Sequence, residues 1–108
     1  MILRILTAGL VACAVAPAAA QIVNTPQCRR DLATADRLVH GIRLREAQFV
    51  PGDMATNCRL LRRNLADMIA ARNPMDRCLT GHDHGETVAQ MDASIEDIRG
   101  AIDRHCER

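Results

Sequence analysis

Three groups of residues in this chain have types and spacings suited to chemistry: a histidine–carboxylate run, an arginine cluster and five cysteines. His82, Asp83, His84 and Glu86 stand within five residues. Two imidazoles and a carboxylate at that spacing make a partial site for a borderline metal such as Cu(II), Ni(II) or Zn(II). His82, His84 and Glu86 would be the donors. The same segment has a purely structural use, because Asp83 and Glu86 have the spacing of a helix capping box and acids suit a helix N-terminus. Cys78 would be the natural fourth donor, and the cysteine pattern commits it elsewhere.

Arg59, Arg62 and Arg63 are the densest basic cluster. Asp67 lies within helical reach, so local pairing accounts for part of it and a solvated face for the rest. The functional alternative is recognition of an acidic protein, an anionic lipid or a polysaccharide. All 14 Lys-plus-Arg positions are arginine. Residues 21–82 hold ten of them against six acids, whereas residues 83–108 hold three against seven acids. The C-terminal third is therefore acidic and the preceding two thirds basic, an asymmetry that internal complementarity can satisfy. With the charge near balance and Phe49 as the single aromatic, nothing here stacks on bases, and nucleic acid is not an expected partner.

Catalytic patterns are missing from the sequence. No Cys-x-x-Cys pair occurs, and Ser94, the single serine, lies inside a helical pattern without a glycine-flanked elbow. Glu96 and Asp97 are neighbours on a solvated helical face rather than carboxylates facing across a cleft. There is no glycine loop shaped for phosphate. His40 and His105 fall near the ends of helical segments, where solvated capping explains them. The expectation is a non-enzymatic protein with no cofactor.

The elements that position these residues are helical. Thr25-Pro26 supplies an N-cap oxygen and a proline at the first helical position. Cys28, Leu32, Ala35, Val39 and Ile42 then recur at steps of four and three, which is helical periodicity. Pro51-Gly52 marks a turn and Asp53 caps a second helix, in which Met54, Cys58, Leu61, Leu65 and Met68 repeat the pattern. Asn73-Pro74 is expected to end it, since proline disfavours helical backbone before it, leaving a polar connector to His82. Asp83 caps a third helix with its stripe at Val88, Met91, Ile95, Ile98 and Ile102. The fold class is all-α: a small antiparallel three-helix bundle running up, down and up.

That layout constrains the cysteines. Helices of about 21 residues are about 30 Å long, and bridged Cα atoms must lie within about 7 Å. Cys28 and Cys78 fall at one end of the bundle, Cys58 and Cys106 at the other. Only the pairing Cys28–Cys78 with Cys58–Cys106 avoids spanning it. Two bridges suit a domain this small whose core must be built without aromatics.

The first 20 residues supply the compartment. Arg4, an apolar run from Ile5 to Val15 and Ala18-Ala19-Ala20 have the anatomy of a secretory signal cleaved before Gln21. Residues 21–108 then form one domain, periplasmic or secreted, with no transmembrane segment. Leu10-Val11-Ala12-Cys13 also has the form of a lipobox, which would make Cys13 a lipid anchor. The reading is a small exported protein of the bacterial cell envelope that binds another protein as an accessory subunit, inhibitor, chaperone or immunity factor. Its alternatives are an envelope metal-binding protein using His82, His84 and Glu86, and a lipid-anchored assembly factor.

Overall fold

The computed structural model describes residues 21–82 and 84–107. The leader with Cys13, the cap assigned to Asp83, and Arg108 lie outside the described residues. Three helices account for most of the rest: α1 (Pro26–Glu46), α2 (Met54–Cys78) and α3 (His84–His105). The Thr25 hydroxyl accepts from the Cys28 N–H at 3.1 Å, and the Asp53 carboxylate accepts from the Thr56 N–H at 3.1 Å. Both caps thus satisfy backbone donors that a helix leaves unpaired. Gly52, with φ of 82°, turns the chain between α1 and α2.

Both disulfides form as the topology requires. Cys28–Cys78 has its Cα atoms 5.4 Å apart, and Cys58–Cys106 has them 5.8 Å apart. Each fixes the register of one helix pair. Seven-residue steps away from Cys28–Cys78 bring Ala35 opposite Ala71, then Ile42 opposite Asn64, and all four are buried. Two alanines at the middle of the seam let α1 and α2 approach closely. Fourteen residues along α2 from Cys58, and fourteen back along α3 from Cys106, stand Arg72 and Asp92. They meet in a two-pronged ion pair.

α2 is the middle member. It packs along both neighbours, while α1 and α3 share at most isolated contacts. The wheel of α2 explains this: at about 100° per residue, Cys58 and Cys78 point about 160° apart, and Asp67 and Arg72 about 140° apart. One member of each pair faces α3 and the other α1. The helices therefore form a shallow layer. Burial is concentrated at Ala35, Ile42, Asn64, Ala71 and Cys78 toward α1 and at Cys58, Val88 and Ile95 toward α3, whereas Leu61, Met68 and Met75, between the two seams, are only half-buried.

Two local features depart from the sequence expectation. α2 does not stop at Asn73-Pro74 but continues to Cys78. Proline there forfeits one helical hydrogen bond and crowds the preceding turn. Pro74 is itself buried, however, and the next turn is fastened to α1 through Cys78, so packing and the covalent link outweigh the local preference. The supposed connector also contains β2 (Leu79–Thr80), which pairs antiparallel with β1 (Gln21–Ile22). The Val23 N–H extends the ladder to the Cys78 carbonyl at 2.8 Å. Gly81, with φ of 88°, then directs the chain toward α3.

Candidate functional site

The cluster around Arg59 divides in the folded chain. Arg63 turns along α2 toward Asp67, with its Nε 3.5 Å from that carboxylate. Asp67 also receives Arg45 from α1, and Arg45 Nε donates to the Oδ1 of Asn64 at 2.6 Å. Asn64 is 3% exposed, yet its polar group is satisfied by that bond. The trio of Arg45, Asn64 and Asp67 pins α1 to α2. Arg63 joins it from the exposed side of α2.

Arg59 and Arg62 go elsewhere. Together with Met54, Ala55, Cys58 and His105 they line a wide-mouthed cavity of about 520 Å³ at the Cys58–Cys106 end, with Glu107 at its rim. The first turns of α2 supply one wall and the last turn of α3 the other, and the disulfide holds them together. Arg59 donates to the Thr56 hydroxyl at 3.2 Å. Arg62 donates to the backbone carbonyl of Glu107, covering an acceptor beyond the end of α3. Both acceptors are neutral. Among the described residues neither guanidinium has a carboxylate partner within 4.0 Å. Asp53, the cap of α2, feels the charge of Arg59 through space. Its pKa is lowered first by the side-chain hydrogen bond with Thr56, then by the Thr56 backbone bond, and least by Arg59.

Arg72 shows the opposite condition. Its Nε and Nη2 donate to the two oxygens of Asp92 at 2.9 and 3.3 Å, and its Nη1 to Asp76 at 3.2 Å. The hydrogen bond with Asp92 raises the Arg72 pKa, and the same bond lowers that of Asp92. Three of its five N–H donors are thus engaged by carboxylates, and its charge is matched within the fold.

Of the histidine run, His84 alone among the described residues reaches the end of α2. The Nε2 of His84 lies 2.9 Å from the Asp76 carbonyl oxygen and 3.2 Å from its Oδ1. His82 and Glu86 are exposed. Among the described residues no group of three metal-ligating side chains converges.

Sequence reasoning singled out the arginines but not Met54 or His105 as their companions. The signal was present in the cysteines: pairing Cys58 with Cys106 necessarily sets His105 beside Arg59 and Arg62. The cavity offers guanidinium donors, an imidazole and an aliphatic and sulfur-bearing wall. No family model matches the chain, and no curated protein or solved structure matches it either.

Proposed function

We propose that this is a small exported protein of the bacterial envelope that acts by binding another protein through its Cys58–Cys106 end. The observation carrying the reading is the pair of guanidiniums at the cavity, held in place by neutral oxygens and left without carboxylate partners among the described residues. Arg29, Arg30 and Arg37 also donate to neutral side-chain oxygens; what sets Arg59 and Arg62 apart is that both line one cavity. Two disulfides belong to an oxidising compartment. No helix among the described residues is long and apolar enough to cross a membrane. The leader anatomy supports export to the periplasm or beyond.

The exposed Met54 at the rim offers the test. A photoreactive residue replacing Met54 is expected to crosslink one envelope protein in living cells, and Arg59→Glu with Arg62→Glu should abolish the adduct. The same probe at exposed Arg37 on α1 is expected to give none. Equal labelling from both positions, or labelling indifferent to the arginines, would refute the reading.

A further inference from the structure

We infer that the ligand of this end is an acidic peptide segment carrying an aliphatic side chain beside its carboxylate. This names the partner chemistry of the site above and rests on that reading. Arg59 and Arg62 are three residues apart on one helix, so their side chains leave α2 as neighbours about one turn apart. Each uses one nitrogen on a neutral oxygen, Thr56 Oγ1 or the Glu107 carbonyl. Each guanidinium has five N–H donors in a planar fork, so most of that fork stays available to a carboxylate. The neutral bonds fix the guanidiniums in place, which lowers the ordering cost on binding.

A lone carboxylate would leave most of the cavity empty. At about 520 Å³ it falls within the size range of sites that enclose a compact apolar body. Its uncharged wall is Met54, Ala55 and Cys58, and methionine adapts readily to an aliphatic guest. Other anionic partners fit less well. An acidic membrane surface calls for a broader array of basic residues than this concave pair. A sugar or nucleic-acid face would call for stacking aromatics, and Phe49, the single aromatic, is not in the wall.

The experiment is a selection of random displayed heptapeptides on the intact, disulfide-bonded domain, followed by fluorescence anisotropy with the enriched peptides. Expected are sequences pairing Asp or Glu with Leu, Ile, Val or Met. Replacing their acids by the amides should weaken binding about tenfold or more, as should Arg59→Gln with Arg62→Gln. Circular dichroism and intact mass establish that the variant remains folded and oxidised. Met54→Ser should weaken binding several-fold, and added salt should weaken it progressively. A selection that yields no binder, binders without acids, or binding indifferent to the two arginines would overturn the inference. The two failures are separable. An envelope protein crosslinked at Met54 alongside non-acidic peptides leaves the proposed function and removes the inference. Acidic peptides binding without any envelope crosslink does the reverse.

Discussion

The two ends of the helical layer carry the same covalent device and differ in almost everything else. At the Cys28–Cys78 end, Cys78 and Pro74 are buried and a short β ladder crosses the chain. Most of its charges face one another: Arg72 meets Asp76 and Asp92, Arg77 lies 3.7 Å from Asp31, and His84 contacts Asp76, while Arg29 and Arg30 rest on the side-chain oxygens of Asn24 and Gln27. At the Cys58–Cys106 end the helices part around a cavity, Met54 is half exposed, and the arginines rest on neutral oxygens. Equal crosslinking with unequal packing separates two roles. One end is closed by its own contacts, and the other is held in shape while its donors remain accessible.

The largest expected effect comes from removing either bridge. Cys28–Cys78 and Cys58–Cys106 span 50 and 48 residues, so loop-closure entropy assigns each about 4 kcal/mol. Urea denaturation of the two serine double variants should show losses of that order. Loss of the Cys28–Cys78 bond should be the more damaging, because Cys78 is fully buried and anchors the ladder. If the Cys58–Cys106 variant is the less stable, the open end contributes more to the fold than its packing implies.

Next in size is the polar trio between α1 and α2. Asp67→Ala should cost about 2–3 kcal/mol, because it strips a charged partner from the largely covered Arg45. Gly81→Ala should cost about 1 kcal/mol. It forces a side chain onto a backbone with positive φ, and the added carbon would lie 2.5 Å from the Gln21 side-chain oxygen.

Smaller still, Arg59→Gln with Arg62→Gln should change stability by no more than about 0.5 kcal/mol while removing binding. Arg72→Gln should do the opposite, weakening the fold without touching the ligand. The smallest effect is in acid. Asp92 has its pKa lowered from 3.8 chiefly by the Arg72 hydrogen bond, so its contribution is fully present above that value. It is lost as pH falls through the lower folded pKa. Asp92→Asn should flatten stability over that acid range, with salt reducing the difference.

Much of the fold was legible in the sequence, and the reason lies in particular residues. Thr25-Pro26 and Asp53 announce helix starts through local hydrogen bonding, and the four cysteines admit one pairing once three matched helices alternate in direction. The end of α2 was not legible at Pro74, because the local penalty is visible in sequence while the burial and crosslink opposing it are tertiary. The β ladder joins strands of two residues, too short for alternation to register. Asn64 lies off the apolar stripe through Cys58, Leu61 and Leu65, which marks the flank of α2 away from α1, so nothing in the sequence singled it out as buried. A middle helix needs a second buried line, and Asn64, Ala71 and Cys78 supply it with no large apolar group among them. Of the candidate site, Arg59 and Arg62 were visible as a cluster. Their separation from Arg63 depends on the three-dimensional placement of Asp67, which Arg63 reaches, and of the Thr56 and Glu107 oxygens, which hold the other two.

The order of the crosslinks along the chain has a further consequence. The two covalent loops overlap across Cys58 to Cys78, so every peptide bond between Cys28 and Cys106 is bridged by at least one of them. A protease that severs the Pro51-Gly52 turn, or the segment after Cys78, nicks the molecule without releasing a fragment. Against the degradative enzymes met outside the cytoplasm, a single scission leaves one covalent molecule, and two cuts are the minimum that can take a piece from between those cysteines.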